Sequence, residues 1–294
     1  MKTLVGRKYK LVDLCMMIEI SRQGYYKRLA KEQNDFDKYS KLEELVIQER
    51  EGKSRAGLRS IYIKNNLSSQ LGVNQFEEQM SLRGHALKPY RSYIKTTDSR
   101  GHHHKYDNLI AGKELNGANQ VISGDITYYQ CSSGLYYIFS FTDLYTLEMK
   151  GLTGARRMKS IQAEKCLRQV MKYNQLNKYK SKLIVHTDGG GQYRSEAYQK
   201  IIRAAGIRPS QAKSCFENGL AERINGVIKN EYLVDYTIAS ERQLNANLKQ
   251  IQTDYNQKWP SPKLGYKTPF QYEKWVDELP INKRPVIKIA EIKE

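Results

Sequence analysis

The sequence predicts an α/β fold, a mixed five-stranded sheet with helices against its faces, preceded by a small all-α region. Three observations carry that expectation. The first hundred residues have apolar positions at helical spacing. Residues 119 to 155 hold three runs rich in β-branched and aromatic side chains, joined by short turns. From residue 157 helix-like and strand-like segments alternate, so the order is βββαβαβα.

Taken in order, LVDLCMMIEISRQGYYKRL (11–29) predicts a helix, with Ser21 as the N-cap of a second, short one. DFDKYSKLEELVIQER (35–50) predicts another, capped by Asp35. GLRSIYIKNNL and LGVNQFEEQMSLRGHAL, separated by a polar break, have the form of a helix-turn-helix, with Arg83 as its DNA-contacting candidate. The polar stretch KTTDSRGHHHKYDN marks a linker. NQVISGDITYYQ, LYYIFSFTDLYT and EMKGLTGA predict an antiparallel meander, and RMKSIQAEKCLRQVMKYNQL a helix. SKLIVHTDGG reads as a buried strand with a glycine-rich end, SEAYQKIIRAAG as a helix, and IRPSQA as a short strand. ENGLAERINGVIKNEYLV is the last core helix; a helix over 240–256 and the strand-like PVIKIAEI complete the chain. The expected divisions are 1–52 (N-terminal helical region), 53–95 (helix-turn-helix-like), 96–117 (linker), 118–236 (catalytic core) and 237–294 (C-terminal extension).

Hydrophobic residues at 39% and charged residues at 27% of 294 suit a globular chain. No run of 18 apolar residues exists, and the N-terminus lacks a small-residue cleavage site, so a cytoplasmic protein that does not touch membrane is expected. Cys15, Cys131, Cys166 and Cys215 are scattered without zinc spacing, and His102 to His104 lack partners for a tetrahedral site. The net charge of +18, spread along the chain, favours a large surface laid on nucleic acid.

Asp125 stands mid-strand between apolar neighbours, where an aspartate is costly without a partner. Asp188 ends a strand and is followed by Gly189, Gly190 and Gly191; Glu222 lies on a helix. With the first strand central and the fourth beside it, the three carboxylates converge. Such a set, with no histidine or cysteine cage, suits Mg²⁺ or Mn²⁺. Two ions roughly 3.5–4 Å apart activate a water or 3′-hydroxyl for in-line phosphoryl transfer. Glu231, nine residues after Glu222, falls near the opposite helix face; Asp143 is a rival ligand or a support of the fold.

The order of elements is that of the ribonuclease H-like fold. GDITYYQ, HTDGGGQY and ENGLAERINGVIKNE together resemble the integrase core of bacterial insertion-sequence transposases, most closely the OrfB type of the IS-three family with its DDE triad. LCMMIEISRQGYYKRL and GLRSIYIKNNL resemble that family's N-terminal helical region, and YNQKWPSPKLGYKTPFQY its C-terminal signature. The resemblance implies a triad of Asp125, Asp188 and Glu222 acting in metal-dependent cleavage and 3′-end strand transfer. It places the family's asparagine at Asn218 and its basic residue at Lys229, on the face of Glu222. Arg223, beside Glu222, joins them as a DNA-contacting candidate. His186 matches the family's His-x-Asp, either positioning substrate or a metal-bound water, or packing at a strand end.

The implied partners are terminal inverted repeats and target DNA, an assembly of at least a dimer, an upstream-frame (OrfA-type) protein, and a place in the bacterial nucleoid. Two departures stand out: the interval before Glu222 is slightly shortened in QAKSCFEN, and RAGLRSIY replaces the usual Tyr-Gly-Tyr run. The alternatives are a catalytically silent DNA-binding regulator or domesticated transposase, and a ribonuclease or junction nuclease on the same fold.

Overall fold

The structure, a computed structural model, describes residues 10–88, 105–173, 183–212 and 219–290. The expected meander forms β2 (Val121–Cys131), β3 (Gly134–Asp143) and β4 (Met149–Ala155), preceded by a two-residue β1 (Glu114–Leu115). β5 (Ile184–Thr187) and β6 (Arg208–Gln211) complete a five-stranded sheet ordered β4-β3-β2-β5-β6. β2 is therefore central, antiparallel to β3 and parallel to β5. Apart from it, β1 pairs with β7 (Ile287–Lys288), which ties the C-terminal segment to the entry of the core.

Helices cover both faces because successive strand residues point to opposite sides. Ile122, Phe139, Phe141 and Val185 pack under α5 (Ser160–Tyr173), α6 (Gly191–Arg194) and α7 (Glu196–Ala204), through Cys166, Leu167, Val170, Tyr193, Tyr198 and Ile202. The opposite face meets α8 (Gly219–Val227) and α9 (Glu241–Lys258). α9 begins at Ser240, whose side chain accepts from the Gln243 N–H. A further helix, α10 (Pro269–Glu278), is not among the sequence expectations, although its signals are present. Thr268 and Gln271 form a reciprocal capping box, and Pro269 occupies the first turn.

The N-terminal region departs from expectation. α1 (Leu11–Met17) stops short of Ser21, which caps the next helix as expected, its hydroxyl accepting from the Gly24 N–H at 3.0 Å. The helix that follows, α2 (Arg22–Gly52), then runs unbroken for 31 residues. Asp35 is not a cap but a mid-helix residue. No glycine or proline falls between Gly24 and Gly52, and Gln33 bonds Asp37 one turn on, so nothing terminates the helix at 35. Against its C-terminal half lie α3 (Leu58–Lys64) and α4 (Val73–Met80). Their core (Tyr39, Leu42, Val46, Ile61, Phe76, Met80) is continuous with Ile224, Ile228, Tyr232, Leu248 and Trp259 of the α8–α9 side. Among the described residues no helix is long and apolar enough to cross a membrane.

Candidate active site

Asp125 and Asp188 are brought together by strand register. Ser123 faces His186 across the parallel β2/β5 ladder, and each aspartate lies two residues further along its own strand. An offset of two preserves the face, so both carboxylates emerge on the same side, Asp188 just past the carboxyl end of β5 and Asp125 beside it within the longer β2. Two local features let the backbone reach this arrangement. Gly124 passes beneath the Phe141 ring, where a Cβ would lie 2.4 Å from Cε1. Gly189 has φ +76° and a Cβ there would meet the Gln211 side chain at 2.2 Å, so only glycine serves in the turn after Asp188. That turn is closed by the Gly190 N–H donating to Asp188 Oδ1 at 2.9 Å.

The electrostatics of Asp125 are those of a carboxylate awaiting a counter-charge. Burial pushes its pKa up to about 7, and the neighbouring Asp188 and, more weakly, Glu222 add to the rise. Hydrogen bonds from the Ile126 backbone and from Asn225 oppose it. Asn225, one helical turn after Glu222, donates from Nδ2 to Asp125 Oδ2 at 2.6 Å. Its Oδ1 accepts from the Ser140 hydroxyl at 2.9 Å, on the strand that partners Asp125. The sequence reading missed Asn225, because Asn-Gly in ERINGV carries a turn signal; the signal that finds it is the i+3 spacing from Glu222.

Glu222 lies in the first turn of α8, exposed to solvent on the helix that carries Asn225. Among the described residues no three His, Cys, Asp or Glu side chains are grouped to hold one ion, while the Glu222 charge is felt at Asp125. Lys229 sits on the widened helical turn Ile228–Tyr232; burial lowers its pKa and the Asp125 charge opposes the drop. Arg223 is exposed beside Glu222. Asn218 lies outside the described residues.

Two residues read from sequence as DNA contacts are engaged internally. His186 is fully buried, and its Nδ1 meets the Ser210 hydroxyl at 2.9 Å, which also accepts from the Leu109 N–H. Through this contact it braces β5 on β6. The Arg83 guanidinium donates to Glu43 at 2.9 Å and lies over the rings of Phe36 and Tyr39.

The rivals for the third carboxylate have other work. Glu231 pairs with Lys53 at 2.8 Å, and that lysine also lies over Tyr232 and Trp259. Asp143 is buried and accepts from the backbone N–H groups of Asn119, Tyr145 and Thr146, which fixes the β3–β4 connection.

Two family models, each described as an integrase core domain, match residues 116–214 and 204–269. The transposase for insertion sequence element IS904 of Lactococcus lactis is 26% identical over 254 residues, covering 85% of this chain and 99% of its own. The putative transposase InsK for insertion sequence element IS150 of Escherichia coli is 26% identical over 280 residues, covering 90% and 93% respectively. Among solved structures, the HTLV-2 integrase catalytic core domain in complex with magnesium aligns at a TM-score of 0.42 and 22% identity, covering 53% of this chain and 97% of its own. With both integrase-core matches falling on the sheet and helices that carry Asp125, Asp188 and Glu222, and transposases aligned nearly end to end, the chain belongs to the integrase-core family of insertion-sequence transposases.

Proposed function

We propose that Asp125, Asp188 and Glu222 are the carboxylates with which this transposase cleaves DNA at insertion-sequence ends and joins the freed 3′ end to a target duplex. The observation that carries the reading is the side-by-side placement of Asp125 and Asp188, with Asp125 destabilised as an anion by burial and by its neighbour. A divalent cation relieves that repulsion, and an all-oxygen donor set selects Mg²⁺ or Mn²⁺. When bound, two such ions supply Lewis acidity to the attacking and leaving oxygens. Glu222, exposed in the first turn of α8, is the third carboxylate of the set. Asn225 holds the Asp125 carboxylate in one orientation, and Lys229 offers its ammonium to a phosphate beside it.

The substrates are the terminal inverted repeats and a target duplex, and two ends handled together call for at least a dimer on DNA. An upstream-frame partner and a nucleoid location belong to the same reading. So do the functional divisions of the chain, with catalysis in residues 118–236.

A catalytically silent DNA-binding regulator is the second reading, and the exposure of Glu222 away from a closed three-carboxylate cluster is the observation that favours it. The test is incubation with a labelled terminal-repeat duplex in Mg²⁺ or Mn²⁺, comparing wild type with Asp188→Asn. Metal-dependent nicking and joining by wild type alone supports the transfer reading. Binding without chemistry, unchanged by the substitution, supports the regulator, and hydrolysis without joining supports a nuclease.

A further inference from the structure

We propose that the paired tyrosines Tyr128 and Tyr137, with the cationic connection 156–159 beside them, form a stacking platform for an unpaired DNA base next to the reacting phosphate. This rests on the reading of Asp125 and Asp188 as the reacting centre and goes beyond it by assigning a base-binding site. β2 has strands on both edges only at its start. β5 matches Val121, Ile122 and Ser123, and among the described residues no strand occupies that edge of β2 beyond them. β3 stays paired with β2 as far as Cys131. Asp125 therefore lies where the β5 neighbour ends, and Tyr128 follows three residues later, about 10 Å along the unoccupied edge. The odd offset sends their side chains to opposite faces of the ribbon. A DNA strand crossing this edge presents a phosphate to one face and a base to the other.

Strand register builds the platform. Tyr128 lies across from Tyr137, and Tyr137 lies across from Ala155, the last residue of β4. Residues paired in this way share a face, here the one that α5 covers further back. The two rings meet edge to face, with 6.4 Å between centroids and 88° between planes, which leaves a ring face for a third aromatic group. Both tyrosines are half-buried. Tyr137 borders the core together with Ile126, and Leu135, on the same face, is 41% exposed.

The charge around the rings suits a polyanion. Directly after Ala155 come Arg156, Arg157, Met158 and Lys159, all exposed. No aspartate or glutamate occurs from 126 to 142 or from 149 to 163. Glu241 of α9 reaches this connection from the other face of the sheet and accepts from the Arg156 backbone N–H, while the Arg156 guanidinium lies over the Tyr136 ring. Cations beside aromatic faces are the composition of single-strand sites that tolerate any sequence, because every base has a face to stack. Charge complementarity therefore favours a nucleotide as the occupant of this patch.

The test uses the full chain in Ca²⁺ with labelled mixed-sequence duplexes, read by fluorescence anisotropy. One duplex is blunt, one carries a 3′ overhang of thymidines, and one carries an equally long overhang of abasic residues. The two overhangs have the same charge, so the difference between them reports the bases. The expected result is about tenfold tighter binding of the thymidine overhang than of the abasic one. That preference should persist in Tyr128→Phe, which keeps a ring. It should fall below about twofold in Tyr128→Leu and Tyr137→Leu, with blunt-duplex affinity and circular dichroism unchanged. Arg157→Gln/Lys159→Gln, at exposed positions outside the core, should weaken both overhangs alike. Equal binding of the two overhangs by wild type, a preference that survives the leucine variants, or overhang binding unchanged by the glutamine pair overturns the platform and leaves the catalytic reading standing. Loss of self-association in sedimentation by the leucine variants, with the thymidine preference intact, overturns it in favour of a second copy of the chain on this patch. A wild type that binds none of the duplexes overturns the platform and the DNA-acting reading together.

Discussion

Asn225 donates its side-chain amide to Asp125 at 2.6 Å while accepting from Ser140, so one buried residue of α8 spans two strands of the sheet. It is 3% exposed, and removing it leaves a hydroxyl and a carboxylate without that partner. Asn225→Ala is expected to cost about 1–3 kcal/mol in thermal or denaturant unfolding. It is also expected to lower strand-transfer activity and to raise the Mg²⁺ concentration for half-maximal activity, with duplex affinity unchanged. An unchanged metal requirement would restrict Asn225 to a packing role.

Asp125→Asn separates stability from function. With a folded pKa near 7 against an ordinary 3.8, the Asp125 contribution to stability is complete below pH 3.8 and lost as pH rises through 7. The neutral amide escapes that loss while still accepting from Asn225. In EDTA above pH 7 the variant should therefore melt higher than wild type, by a stability difference of a few kcal/mol. Adding Mg²⁺ should raise the melting temperature of wild type more than that of the variant, and the variant should lose joining activity on the order of 10²–10³-fold or more. A variant that melts lower than wild type in EDTA at pH 8 would contradict the strain assigned to this carboxylate.

Glu222 and Glu231 sit on the same helical run and make opposite predictions. Glu222→Gln removes an exposed carboxylate, so melting should be unchanged and DNA joining lost. Glu231→Gln strips Lys53 of its carboxylate partner, and that lysine side chain is 10% exposed. The expected cost is about 1–2 kcal/mol, less than for a fully buried pair because Glu231 is partly solvated. Joining activity by the Glu231 variant should persist at temperatures where it remains folded. The reverse pattern, with Glu231 essential and Glu222 dispensable, would reassign the third carboxylate.

The sheet order and the two aspartates were legible in the sequence because they rest on strand periodicity and on a glycine turn, both local signals. HTDGGGQY states its own geometry: a buried strand, a carboxylate at its end, and a glycine at the one position with φ +76°. What was not legible depends on contacts between distant segments. Arg83 and His186 carry side chains apt for DNA, yet Glu43 lies 40 residues from Arg83 and Ser210 lies 24 from His186. Asn225 works through Ser140, 85 positions away. The unbroken α2 was obscured because Asp35 satisfies the local rule for a cap while the flanking residues favour continuation.

The C-terminal helix α10 packs on the core through Tyr272 and Val276, beside a cluster of charges that sequence patterning conceals. Lys150 on β4 is 2% exposed at its side chain; it pairs with the buried Glu148 and lies 3.4 Å from Glu273 of α10. Asp143 adds a third carboxylate to this neighbourhood, and one lysine does not neutralise three. Burial and the Glu148 contact push Glu273 up to about 8, although Lys150 acts the other way. With an ordinary pKa of 4.5, its contribution to stability is complete below pH 4.5 and declines as pH rises through 8. Since the Asp125 contribution is already lost by about pH 7, Glu273 adds its own decline between pH 7 and 8. Glu273→Gln should flatten that part of the melting profile and leave the variant more stable than wild type at pH 8.5, by about 2 kcal/mol after allowance for partial solvation. Melting measured at half-unit pH steps in EDTA checks this. A decline between pH 7 and 8 that survives the substitution would show that the proton does not reside on Glu273.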